Sequence, residues 1–106
     1  MKNSKILGLI GLAARARKVL FGADSVELEA QKNKVYLIIL AQDSSTRTKE
    51  KFQKISEKYN IPIIITQTIE DLSKAIGKNN KAILGIGDIN LASEIQKIYN
   101  GGEAIG

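Results

Sequence analysis

Hydrophobic positions along the chain fall into two periods. Ile6, Ile10, Ala13 and Ala14 recur at helical spacing, widened by Leu9 and Leu12, and predict a first helix with Ser4 as its N-cap. Gly8 and Gly11 lower the helix propensity of that segment, and their expected role is close packing against a neighbouring element. Val19-Leu20-Phe21 reads as a short edge strand or an extended connection. A second helix is expected over residues 23–32, with Val26 and Ala30 on one face and Asp24 in its first turn, where a carboxylate suits the macrodipole.

Residues 35–41 form a continuous apolar run of strand length, the pattern of a strand covered on both faces. Gln42-Asp43-Ser44-Ser45 supplies turn and capping chemistry. A third helix follows over residues 46–59, with Thr48, Phe52, Ile55 and Tyr59 on one stripe and Arg47, Lys49, Lys51, Lys54 and Lys58 on the other. Asn60-Ile61-Pro62 ends it, and Ile63-Ile64-Ile65 is a second buried strand. Thr68 and Asp71 have capping-box spacing and open a fourth helix carrying Leu72, Ala75 and Ile76, with Gly77 as its C′ residue. Residues 82–86 are a third buried strand, and a last helix over residues 89–99 turns Leu91, Ile95 and Ile98 inward. Asn100-Gly101-Gly102 closes it, leaving residues 101–106 as a loose tail.

Alternation of strand and helix predicts one α/β domain over residues 1–100, a three-layer α/β/α sandwich whose central sheet is mostly parallel. A length of 106 residues fits one domain, and 43% hydrophobic content is enough for a packed core. Met1 to Lys5 is basic and residues 6–14 are apolar, which imitates a signal peptide, yet Arg15, Arg17 and Lys18 follow without a cleavage region. A core-facing helix is the expected reading, and the apolar run is too short to span a bilayer. The expected location is cytoplasmic, with no membrane partner.

Charge sharpens the picture. The net charge is +5, and it is uneven: residues 1–60 hold 12 Lys/Arg against 6 Asp/Glu, while residues 61–106 hold 4 against 5. Such asymmetry points to an anionic partner. The chain has no cysteine and no histidine, which removes disulfides, thiolate metal sites and the commonest general base. No enzyme activity, cofactor, metal or small-molecule substrate is expected.

Few segments carry chemistry. Gly85-Ile86-Gly87-Asp88 lacks the third glycine of a dinucleotide fingerprint and reads as a strand-to-helix turn. Asp43, Ser45 and Thr48 lack a base to complete a nucleophilic set and fit helix capping. The stretch from Arg15 to Ser25 differs: Arg15, Arg17 and Lys18 precede a helix start at Gly22, where unpaired N–H groups suit phosphate. Local chemistry alone leaves open whether these cations bind RNA or are solvated helix-end charges.

The ordered landmarks Gly11-Leu12-Ala13-x-Arg15-Ala16-x-Lys18, Gly22, Leu40-Ala41-x-Asp43-x-Ser45, Tyr59-Asn60-Ile61-Pro62 and Leu72-x-x-Ala75-Ile76-Gly77-Lys78 bear on that choice. Together they resemble the ribosomal protein "L seven Ae / L thirty e" superfamily of kink-turn RNA binders, closest to a bacterial branch, over roughly residues 4–99. The resemblance implies a mixed sheet of about four strands. It also implies an RNA-facing edge made of Gly22, Ala23, Asp24 and Ser25 with Lys78, Asn79, Asn80 and Lys81, where Arg15, Arg17 and Lys18 neutralise phosphates. Kink-turn binders of that superfamily carry Gly-x-Asn-Glu-x-x-Lys at this helix start. Here Gly22 matches, whereas Asp24, Ser25 and Leu28 stand at the Asn, Glu and Lys positions. The second loop, apolar in those binders, is polar here. The expected function is a non-enzymatic RNA-binding protein, monomeric, bound to structured or ribosomal RNA. A module recognising an acidic protein within a ribosome or translation-factor complex is the alternative.

Overall fold

In the computed structural model, which describes residues 2–101, five helices pack on a four-stranded sheet. In chain order the elements are α1 (Lys2–Arg15), β1 (Val19–Phe21), α2 (Ala23–Gln31), β2 (Leu37–Leu40), α3 (Thr46–Tyr59), β3 (Ile63–Ile65), α4 (Ile69–Ala75), β4 (Ile83–Ile86) and α5 (Ile89–Tyr99). The strand order is β1-β4-β2-β3.

Side-chain alternation along the strands divides the core into two halves. Leu37 and Ile39 of β2 and Leu84 and Ile86 of β4 meet Ile6, Ile10 and Ala13 of α1, Leu72 of α4, and Ala92, Ile95 and Ile98 of α5. Ile38 and Leu40 of β2 and Ile83 of β4 meet Val26 and Ala30 of α2 and Phe52 and Ile55 of α3. Every residue of β2 and β4 is buried, as a strand covered on both faces requires. The three-layer sandwich of four strands is therefore present, with β1 at an edge.

The expected mostly parallel sheet is corrected. Only β2 and β3 run parallel; β4 lies antiparallel to both β1 and β2. An unbroken apolar run reports burial on both faces and carries no information on direction, and β4 enters the sheet between two strands that both oppose it.

Smaller expectations are also corrected. Ser4 lies inside α1 rather than at its cap. Gly8 is exposed, and a Cβ there would meet nothing within 4 Å. Gly11 does serve close packing, since a Cβ on it would lie 3.4 Å from the Ala75 carbonyl oxygen. The tail expected at 101–106 falls, from Gly102 onward, outside the described residues. Among the described residues no helix is long and apolar enough to cross a membrane.

Helix starts follow the capping chemistry of the sequence. Ser45 Oγ accepts from the Thr48 amide at 3.1 Å, Thr68 Oγ1 from Asp71 at 3.1 Å, and Asp88 Oδ1 from Leu91 at 2.9 Å. Asp43 Oδ1 adds a second acceptor at the start of α4, taking the Ile69 amide at 2.8 Å.

Candidate functional site

The start of α2 differs from those three helices. Gly22 stands at its N-cap with φ 96° and ψ 154°, and no side chain caps it. That backbone conformation is open to glycine and strained for other residues. The first-turn amides of Ala23, Asp24 and Ser25 therefore have no side-chain acceptor, and Asp24 and Ser25 are exposed. The Asp24 carboxylate sits where it favours the helix dipole and opposes an approaching phosphate.

The second half of the site is the loop between α4 and β4. Its two ends hang on one buried serine. Ser73 Oγ accepts from the Lys81 amide at 2.7 Å, and the Ser73 carbonyl accepts from the Lys78 amide at 2.9 Å. Gly77 (φ 70°) and Asn80 (φ 54°) make the two left-handed turns that close the loop. Lys78, Asn79 and Asn80 are exposed and Lys81 is half-buried.

Strand pairing brings these halves together. Phe21 pairs with Leu84, so α2 begins where the loop enters β4. The Gly22 amide donates to the Ile83 carbonyl at 3.0 Å, and Lys78 Nζ sits 5.0 Å from the centroid of the Phe21 ring.

Arg15 reaches the same edge from the other side. A Cβ on Gly11 would lie 3.6 Å from Arg15 Nη1, which sets the guanidinium along the contact of α1 with α4. A groove of about 340 Å³ there includes Arg15, Lys74 and Gly77. A second groove of about 410 Å³, with Lys74, Lys78, Asn79 and Asn80 on its walls, shares Lys74 and Gly77 with the first. Glu70 is the acid on that second rim.

Arg17 and Lys18 lie elsewhere. Val19 pairs with Ile86, so both residues stand at the opposite end of β1 from Gly22. Arg17 takes the left-handed C′ position of α1 (φ 60°), with the Lys18 amide bonded to Ala13 at 2.8 Å and the Arg17 amide to Ala14 at 3.0 Å. Of the expected residues, Gly22, Ala23, Asp24, Ser25, Lys78, Asn79, Asn80, Lys81 and Arg15 converge on one edge, and Arg17 and Lys18 do not.

A family model described as the ribosomal protein L7Ae/L30e/S12e/Gadd45 family matches residues 4–95. The chain belongs to that family. It is 31% identical over 95 residues to RNA-binding protein YlxQ of Bacillus subtilis (strain 168), covering 90% of this chain and 95% of the relative. Identity to RNA-binding protein YlxQ of Enterococcus faecium is 30% over 99 residues, covering 93% and 95%. A solved protein of unknown function from Bacillus halodurans C superposes with a TM-score of 0.88 at 33% identity, covering 91% of this chain and 97% of that one. The Giardia lamblia 15.5kD RNA binding protein shares the fold, with a TM-score of 0.77 at 19% identity over 99% of this chain and 90% of that one.

Two members of this edge escaped sequence reasoning. Lys74 joins the two grooves, and its signal was the Lys74, Lys78, Lys81 series leading off a helix C-terminus. Phe21, half-buried in an edge strand, carries Lys78. Only pairing of β1 with β4 reveals that contact.

Proposed function

We propose that this chain is a non-enzymatic RNA-binding protein that takes structured RNA on the edge formed by the start of α2 and the loop of residues 78–81. The observation carrying this reading is the joining of two half-sites. Uncapped first-turn amides meet a lysine- and asparagine-bearing loop through the Gly22–Ile83 hydrogen bond and the Lys78–Phe21 contact. In this reading Arg15, Lys74, Lys78 and Lys81 neutralise phosphates, the amides of Ala23, Asp24 and Ser25 approach the backbone, and Asn79 and Asn80 contact base edges in irregular RNA. Relatives covering most of the chain are named RNA-binding proteins, which supports the class of partner.

The side chains set the mode of recognition. An ionised Asp24 accepts but cannot donate as an amide does. Ser25 is shorter than a glutamate, and Leu28 brings no charge. The target is therefore structured RNA read mainly through backbone and phosphate, with the ribosome as its source and the cytoplasm as its setting.

Crosslinking in cells followed by sequencing of the bound RNA identifies the target. Titration of that RNA at rising salt then tests the site. Four neutralised phosphates give a log–log slope of about −3 to −4. A flat salt dependence, or association with ribosomes that survives ribonuclease, overturns this reading in favour of protein recognition.

A further inference from the structure

The end of the sheet opposite Gly22 carries an open groove of about 350 Å³ between the turn after α2, the turn after α3 and the Ile89, Ala92, Ser93 and Gln96 face of α5. That volume lies at the lower end of the ~300–1,000 Å³ range of ligand sites. Its walls mix two kinds of surface. Tyr36 (38% exposed), Tyr59 and Ile89 (62% exposed) are apolar, whereas Asn33, Asn60 and Gln96 present amides.

Cations flank its lining residues in sequence. Lys34 follows Asn33 directly, and Lys58 Nζ stands 5.3 Å from the centroid of the Tyr59 ring. The Lys18 and Lys34 carbonyls converge on Gly87, where a Cβ would lie 3.5 Å and 3.6 Å from them, so Arg17 and Lys18 border the same end of the sheet. Among the described residues no ion pair engages Arg17, Lys18 or Lys34. The two acids next in sequence to the groove's lining are engaged: Asp88 Oδ1 accepts from the Leu91 amide at 2.9 Å, and Glu94 pairs with Lys97 at 3.6 Å.

We infer that this groove is a second RNA site, which takes an unpaired nucleobase of a single-stranded segment. Every base has a π-face that a tyrosine can stack, base edges both donate and accept as side-chain amides do, and the backbone needs cations beside the stacking surface. The groove offers all three, whereas an acidic peptide would use the cations and amides and offer no base face for the tyrosines to stack. The inference rests on the preceding reading for the class of partner and gives Arg17 and Lys18 the phosphate-facing role that the first site leaves unfilled.

The test is fluorescence anisotropy with a labelled, unstructured oligouridine, alongside a structured RNA bound by the full chain. Tyr36→Ala is expected to weaken oligouridine binding about fivefold or more, and Tyr36→Phe to retain it. Lys34→Ala with Lys58→Ala is expected to flatten the oligouridine salt slope by about 1.4, at ~0.7 per phosphate. Lys78→Ala with Lys81→Ala is expected to weaken the structured RNA more than oligouridine, the reverse of Tyr36→Ala. All five positions are surface or partly exposed, and thermal melts verify that each variant folds. Oligouridine binding that ignores Tyr36→Ala overturns the inference. So does structured-RNA binding with no oligouridine binding, or amide shifts at Asn33 and Asn60 induced by an acidic peptide but not by oligouridine; these outcomes leave the first site standing. Failure of every RNA to bind sinks both.

Discussion

The backbone amide of Gly22 donates to the carbonyl of Ile83 at 3.0 Å, and this one bond fastens the entrance of α2 to the end of the 78–82 loop. Gly22 makes it from a backbone conformation (φ 96°, ψ 154°) that side chains resist, although a Cβ there would touch nothing within 4 Å. The constraint is therefore conformational and not steric. Gly22→Ala is expected to lower stability by ~1–3 kcal/mol. Urea unfolding measures it, and an unchanged midpoint would show that the backbone relaxes freely.

Ser73 holds the loop from the other side. Its buried hydroxyl accepts from the Lys81 amide at 2.7 Å and lies 3.4 Å from the Lys81 carbonyl. Ser73→Ala leaves that amide without its partner, for an expected loss of ~1–3 kcal/mol. Faster hydrogen exchange is expected at Lys78 and Lys81 in particular. Protection that falls evenly over the whole molecule would argue against a local latch.

How much of this was legible beforehand differs by level. Helix starts at Thr46 and Ile69 follow from Ser45 and Thr68, because a cap is a local interaction within four residues. Burial of β2 and β4 follows from their unbroken apolar runs. Strand direction was not legible, since pairing of Leu37–Leu40 with Ile83–Ile86 joins segments more than forty residues apart and either direction buries the same side chains. The site divides the same way. Gly22, Ala23, Asp24 and Ser25 announce themselves locally, but the nearness of Lys78, and the separation of Arg17 and Lys18 from it, follow only from the register Val19–Ile86 and Phe21–Leu84.

Lys78 and Lys81 supply two of the four cations assigned to the first site. Their joint replacement by alanine is expected to reduce the magnitude of the salt slope for structured RNA by about 2, at ~0.9 per phosphate. The Lys81 amide keeps its bond to Ser73 in such a variant, so the loop persists. Isothermal titration at several salt concentrations reads the slope. A loss of affinity with the slope intact would assign the two lysines to shaping the loop instead of contacting phosphate.

Arg17 presents a conflict between stability and charge. It occupies a left-handed C′ position (φ 60°) that glycine fills without penalty. Arg17→Gly is expected to stabilise the fold by about 1 kcal/mol. If Arg17 faces phosphate at the second groove, the same change also shrinks the oligouridine salt slope by about 0.7. Thermal melts and anisotropy on one variant separate the two effects, and a stability gain with unaltered RNA binding would remove Arg17 from the second site.

The sharpest test of the first site exploits its departure from the kink-turn pattern. Asp24, Ser25 and Leu28 are exposed on the first two turns of α2, with Leu28 at 52%. Asp24→Asn restores an amide donor, Ser25→Glu returns a carboxylate to the first turn, and Leu28→Lys adds a cation. None disturbs the core, because Val26 and Ala30 carry the packing of this helix. One hydrogen bond to a charged group contributes ~1.5–3 kcal/mol, so the triple variant is expected to bind a kink-turn RNA about tenfold tighter or more than the parent chain. Gel-shift titration against a kink-turn and a fully paired duplex of equal length measures the gain. Equal gains on both RNAs would reflect the added charge alone, and no gain on either would place RNA recognition away from the start of α2.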